Sequence, residues 1–278
     1  MVNFNGVLST AEIVSISSAN RAFKYGDGVF ETIKVSNNKI IFLEDHYFRL
    51  MASMRMLRMK IPMKFTLEFL QEEILKTLQL EQPQNDIFRV RITVFRKDGG
   101  LYAPTSNEVD YLIEAKKVNV QEKEVYSIDL FKDFYNYSSL LSTVKTTNRM
   151  LNVLASVFAD DNDLDTCILL NERKGVVEAA NGNIFIIKGN LVKTPALSEG
   201  CIKGVTRKKI IEILEKHPEY TIEETAISPF EIQKADEVFI TNAITGIQSV
   251  TNYRKKTFQK TITNKLKSSL RVKSITES

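Results

Sequence analysis

The sequence predicts an α/β (α+β) protein of two domains, and three observations carry that prediction. Residues 1–118 show strand-like alternation around two amphipathic helical stretches. Residues 116–123 form a charged run with the composition of a linker. Beyond it, short apolar strand patterns alternate with helical ones. The expected boundaries are therefore a small α/β domain at 1–118 and a larger domain at 119–278.

Taken in order, Phe4-Asn5-Gly6 reads as a turn between short strands, and residues 20–28 as a glycine-punctuated loop. Val29–Val35 alternates as a strand, and Ser36–Lys39 is a hairpin turn into Ile40–Phe42. Glu44–Met59 and Thr66–Leu78 have helical spacing, the second capped by Thr66, and Pro83 closes that region. Ile87–Phe95 is a strand with Arg89 and Arg91 facing one way; Lys97–Gly100 is a turn, and Tyr111–Ala115 returns. In the second half, strands are expected at 125–130, 140–144, 166–170, 176–178, 183–187, 236–241 and 248–250. Helices are expected after Asn148, from Gly204 to about Glu215, and from Phe258 to Leu270.

Composition narrows the functional classes. The 278 residues can bury a substantial core, and 43% apolar with 26% charged residues describes an ordinary soluble protein. A net charge of +4, from 38 basic and 34 acidic residues, gives no reason to expect nucleic acid as a partner. Cys167 and Cys201 lack the C-x-x-C spacing of a zinc site and fit a reducing cytoplasm. His46 and His217 are too few and too far apart for a histidine-based metal site, so no metal is expected. There is no charged N-terminal segment followed by an apolar core and no run of membrane-spanning length. The lysine-rich C-terminal helix reads as amphipathic with a solvated face, and the chain reads as cytoplasmic with no membrane partner.

Four places carry candidate chemistry, each with a plain alternative. Lys145 follows an apolar, β-branched run and precedes the capping residues Thr146, Thr147 and Asn148, with Met150, Leu151, Leu154, Val157 and Phe158 at helical spacing. At a strand-to-helix junction the helix dipole would disfavour the ammonium form and prepare a nucleophilic amine; otherwise Lys145 is a solvated strand-end lysine. Gly204-Val205-Thr206 at a helix start is a phosphate cradle by physical logic, or a plain turn capped by Thr206. Arg49, on the first helix, forks onto phosphate oxygens or pairs with Asp45 at i, i+4. Glu178 ends a strand before the small residues Ala179-Ala180-Asn181-Gly182, where a flat ring can lie close to the backbone; otherwise it is an exposed strand end. An amine for an aldehyde, a carboxylate for a ring nitrogen and cationic groups for a phosphate together meet the requirements of pyridoxal phosphate.

Six motifs in a fixed order then carry a family likeness: Tyr25-Gly26-Asp27-Gly28-Val29-Phe30-Glu31, His46-x-x-Arg49-Leu50, Lys145-x-x-Asn148, Glu178 with Asn183-Ile184-Phe185, Gly204-Val205-Thr206-Arg207, and Ala235-Asp236-Glu237-Val238-Phe239. Over nearly its whole length the chain resembles the class-IV aminotransferases, the fold-type IV pyridoxal-phosphate enzymes. These include branched-chain and D-amino acid aminotransferases and 4-amino-4-deoxychorismate lyases. The resemblance implies a small α/β domain, a larger pseudo-barrel domain, the cofactor between them, and a homodimer. It implies Lys145 as the catalytic, Schiff-base lysine and Glu178 as the partner of the ring nitrogen. Arg49, Gly204 and the N–H groups of Val205 and Thr206 would hold the phosphate, with Asn183, Asn242 and Ala243 also at the cofactor. Phe30, Glu31 and Arg96 would border the pocket for a small-molecule amino substrate.

The reaction within the family is narrowed by departures. Met150 stands where branched-chain enzymes place a tyrosine, five residues after the lysine. Thr241-Asn242-Ala243 and Lys145-Thr146-Thr147-Asn148-Arg149 are similar to the aminodeoxychorismate lyases, as is Arg96 with Gly99-Gly100-Leu101-Tyr102, except that Leu101 replaces an arginine. The reading favours a lyase forming 4-aminobenzoate and pyruvate, with an amino-acid transaminase as the alternative. A cofactor-free binding protein on the same scaffold is the reading from a different class.

Overall fold

The computed structural model describes residues 1–9, 13–78 and 86–277 and divides into two compact units. The first takes in residues 1–120, then 145–148; the second, 121–144 and 149–276. Pro83 lies outside the described residues.

The first unit comprises β1 (Val2–Phe4), β2 (Val7–Ser9), α1 (Arg21–Tyr25), β3 (Gly28–Ser36), β4 (Lys39–Ile40), α2 (Leu43–Met56), α3 (Leu67–Leu78), β5 (Ile87–Arg96) and β6 (Val109–Lys117). Six antiparallel strands follow the order β2-β1-β6-β5-β3-β4. The β3–β4 hairpin turns on Asn37 and Asn38, both left-handed at φ 51° and 61°, a geometry asparagine tolerates and that matches the twist of the strands it joins. Helix α2 packs on β3 and α3 on β6. Thr66 caps α3 as expected, its hydroxyl accepting from Phe69 N at 3.2 Å.

Two local expectations are corrected here. The glycine-punctuated loop contains a helical turn, α1, which Asn20 caps through its side chain and Gly26 ends in the left-handed region. Helix α2 stops at Met56 rather than Met59, because Arg58 adopts φ 56°.

The second unit comprises β7 (Ser127–Asn136), α4 (Met150–Asp161), β8 (Thr166–Asn171), β9 (Val176–Ala179), β10 (Asn183–Lys188), β11 (Leu191–Pro195), α5 (Val205–Glu215), β12 (Thr221–Thr225), α6 (Pro229–Lys234), β13 (Glu237–Asn242), β14 (Gly246–Val250), β15 (Asn252–Tyr253), β16 (Lys256–Thr257) and α7 (Thr261–Thr276). Its strands form two mixed sheets, β12-β11-β10-β13-β14 and β16-β15-β7-β8-β9. Ile128, Leu130, Ile168 and Val176 of one sheet share a core with Ile184, Ile186, Val238 and Ile240 of the other. Because β8, β9, β10 and β13 are covered on both faces, they read as continuous apolar runs rather than alternating ones. Among the described residues no helix is long and apolar enough to cross a membrane.

Residues 140–144 are not a strand. They make one 3-10 turn, Leu141–Thr143, with Leu140 and Leu141 exposed. Helix α4 begins only at Met150, with no side-chain cap.

Candidate active site

Lys145 is placed by strand pairing. Its carbonyl accepts from Phe30 N at 2.9 Å, Thr147 N donates to Gly28 O at 2.9 Å, and Val29 bridges Thr146. Residues 145–147 thus take the edge of β3 that β4 occupies further along, which is why this short stretch belongs to the first unit. Thr147 does not cap α4; its hydroxyl donates to Gly26 O at 2.9 Å. Helix α4 begins at Met150, so Lys145 is not part of its first turn. Beside the lysine stands Phe30: the Lys145 amine lies 4.3 Å from the ring centroid, and the Arg91 guanidinium carbon lies 3.7 Å from the same centroid. Gly28 permits the approach, because a Cβ there would press on Phe95, Val94 and Thr147 at 3.1–3.2 Å.

Glu31, the next residue of β3, faces α2. The Arg49 Nε donates to its Oε1 at 2.8 Å, Arg49 Nη2 donates to Oε2 at 2.5 Å, and His46 Nδ1 lies 2.7 Å from Oε2. Glu31 and His46 are 1% and 2% exposed. Burial alone would raise the Glu31 carboxyl, but the charge and hydrogen bonds of Arg49, with those of His46, outweigh it and hold it at about 2. Burial pushes the His46 ring below its ordinary value against the pull of Glu31, and beside the ionised carboxylate Nδ1 is the donor. Arg49 thus makes a bidentate grip on a buried Glu31.

Arg96 is likewise held within its own unit. Its Nε donates to Asp27 Oδ2 at 3.0 Å, its Nη2 to Leu57 O at 2.7 Å, and its Nη1 to Arg58 O and Asn107 Oδ1. The guanidinium thereby satisfies carbonyls at the end of α2 and is 6% exposed. On the other oxygen-rich side of the same cluster, Arg21 also binds Asp27 and donates to the carbonyls of Gly99, Leu101 and Tyr102. Those bonds fix the loop whose glycines the sequence singled out, and Gly99 and Gly100 hold φ of 119° and 75°, which a side chain would strain.

On the second unit, Glu178 is the penultimate residue of β9 and is 5% exposed. Its Oε2 accepts from Ile202 N at 2.9 Å and from Asn183 Nδ2 at 3.3 Å, while Asn183 Nδ2 also donates to Ile202 O at 2.9 Å. Asn183 is therefore a brace joining the carboxylate to the segment that enters α5. A Cβ on Gly204 would collide with Asn183 Oδ1, so only glycine fits at this N-cap. No side chain caps α5, and its first amides, those of Val205, Thr206 and Arg207, keep the donor character of an open helix start. Opposite Asn183 across β10–β13 stands Thr241, whose buried Oγ1 has no protein partner. Asn242 builds the following turn, its Oδ1 accepting from Ile244 N and Thr245 N at 3.0 and 2.9 Å; this places the Asn242 carboxamide on its own loop, with Ala243 inside that turn.

A six-stranded antiparallel unit with three helices, followed by a two-sheet unit with an uncapped helix start beside a braced carboxylate, has the architecture of a fold-type IV enzyme. The chain belongs to the Amino-transferase class IV family, whose model matches residues 28–253, and it is a pyridoxal-phosphate-dependent enzyme of that class. It is 25% identical over 268 residues to the D-alanine aminotransferase of Bacillus licheniformis, covering 90% of this chain and 87% of that one. It is 26% identical over 239 residues to the aminodeoxychorismate lyase of Vibrio harveyi, covering 83% and 84%. Its fold matches the branched-chain aminotransferase of Thermoproteus uzoniensis with a TM-score of 0.89 at 23% identity, over 100% of this chain and 95% of that structure.

The residues present fit the cofactor. The open amides of α5 and the orphaned Thr241 hydroxyl are donors of the kind a phosphate needs, and the Glu178 carboxylate is the acceptor a protonated ring nitrogen needs. Sequence reasoning missed two features: the Glu31–His46–Arg49 cluster and the Arg91–Phe30–Lys145 stack. Signals for both were present, as His46 and Arg49 share a helix face at i, i+3 and Arg91 sits on the strand paired with β3.

Proposed function

We propose that this enzyme is a 4-amino-4-deoxychorismate lyase, forming 4-aminobenzoate and pyruvate. The observation that carries the choice is the loop from Arg96 to Tyr102. Its Gly99-Gly100 pair resembles the lyases, and its backbone geometry and Arg21 clamp make both glycines necessary.

Bound pyridoxal phosphate supplies an electron sink beside the substrate amine. Lys145 would supply the amine for the aldehyde and would hold and move the proton at the amine-bearing carbon. Glu178, held by the Ile202 amide and the Asn183 carboxamide, would pair with the ring nitrogen. The amides of Val205 and Thr206 would hold the phosphate, with the Thr241 hydroxyl as a further donor, and Arg49 is assigned to the phosphate by the family resemblance. In the lyase reaction the amine-bearing carbon loses its proton, the bond to the enolpyruvyl oxygen breaks, and the ring becomes aromatic as pyruvate leaves.

The second reading is transamination, favoured by one residue: Leu101, which is 77% exposed and uncharged where the lyases carry an arginine. Incubating the holoenzyme with aminodeoxychorismate separates the two. Pyruvate release is expected. Amino transfer from a D- or branched-chain amino acid to 2-oxoglutarate, with no pyruvate from aminodeoxychorismate, would overturn the lyase assignment.

We further propose a cytoplasmic homodimer. Met150, Val153 and Val157 of α4, with Leu140 and Leu141 before it, expose large apolar side chains that water alone would not favour. A monomeric mass by light scattering would refute this.

A further inference from the structure

We propose that Glu31, braced by His46, is a positioning residue that fixes the Arg49 guanidinium for the cofactor phosphate; the inference rests on the reading of Arg49 given above. An arginine side chain on a helix surface has about 2 kcal/mol of rotamer entropy to lose, and a phosphate grip on it is weak unless something else removes that freedom first. Glu31 does so from a strand. Its two oxygens take Nε and Nη2 in the parallel fork that fits a carboxylate, which fixes the plane of the guanidinium. His46, three residues before Arg49 on α2, holds the carboxylate from the side, so neither oxygen can turn away.

The placement of the anchor gives the arrangement its point. Glu31 follows Phe30, whose amide is bonded to Lys145 O and whose ring lies under the Lys145 amine. Two successive residues of β3 therefore set the two cationic groups that must engage opposite ends of one small molecule. A shift of β3 would move both together, and the spacing between them is inherited from a strand rather than from two flexible side chains.

The carboxylate has a competing effect, since its charge also repels a phosphate. Burial and a fixed geometry decide which effect dominates: in Glu31→Gln the new amide would point one N–H pair at the guanidinium and displace it. The cofactor-stripped full chain should be titrated with pyridoxal phosphate and, separately, with pyridoxal, which lacks the phosphate. Glu31→Gln should weaken pyridoxal phosphate binding about tenfold, within the range exchanged by members of one ion-pair network, and leave pyridoxal binding unchanged. In an Arg49→Ala background the same substitution should have no further effect. His46→Gln, which leaves the Glu31–Arg49 pair in place, should weaken pyridoxal phosphate alone by a smaller factor, and it provides the test if Glu31→Gln does not fold.

Equal or tighter pyridoxal phosphate binding by Glu31→Gln, an equal loss for pyridoxal, or an undiminished loss without Arg49 would each overturn the proposal. So would a His46→Gln protein indistinguishable from wild type. A wild-type chain that binds both aldehydes equally would refute the phosphate role of Arg49 itself, and that result is seen before any variant is made.

Discussion

The two units prepare their binding groups by different physical means. In the first, charge is held by charge: a buried carboxylate forks onto Arg49, and a histidine steadies it. In the second, one carboxylate is held by an amide and a carboxamide, and the groups proposed for the anion are backbone N–H groups that follow a glycine with no room for a Cβ. The first arrangement should respond to protonation and to loss of a partner's charge. The second should respond to volume and leave the charge balance alone.

The largest expected effect belongs to neither grip. Lys145→Ala should abolish the visible absorption band of the holoenzyme and cut turnover by about a thousandfold or more, whatever either unit retains. Acid titration comes next and separates the units. Glu31 titrates from 4.5 unfolded to about 2 folded, so its stabilisation is full above pH 4.5 and is lost as pH falls towards 2. That loss amounts to roughly 3 kcal/mol for a fully buried group and should be missing in Glu31→Gln, as read from urea midpoints across this window.

Glu178→Gln should then show a kinetic split. Turnover should fall about 100-fold, as for other lost electrostatic partners of a reacting group, with much less change in pyridoxal phosphate affinity. A loss confined to affinity would mean that Glu178 only shapes the cradle. The smallest effect is expected for Gly204→Ala. The added methyl must displace Asn183, which should lower stability by about 1–3 kcal/mol and weaken protection by inorganic phosphate against unfolding, with no dependence on pH between 5 and 8.

Much of this was legible in the chain because local chemistry and position agreed. The Asn37-Asn38 turn, the Thr66 cap and the Gly204 helix start follow from residue types whose conformational preferences are strong. Residues 140–149 were misread because β-branched and apolar residues there serve something other than a strand core. Leu140 and Leu141 are exposed, and the threonines bond to the first unit instead of capping α4. Arg49 and Glu31 appeared in separate motifs, and nothing in their spacing says that α2 lies on β3. Arg96 is read as a substrate group only by likeness, and periodicity gives no sign that its donors also reach carbonyls at the end of α2.

The short excursion of residues 145–148 has a consequence for dissecting the protein. The chain leaves the second unit, lends four residues to the rim of β3, and goes back. A fragment ending at residue 120 would carry Arg49, His46 and Glu31 yet lack the complement to Gly28 and Phe30, exposing a raw sheet margin where the amine should stand. Gene-splitting or swapping of halves between relatives should therefore succeed only when this tetrapeptide travels with the N-terminal piece it stitches.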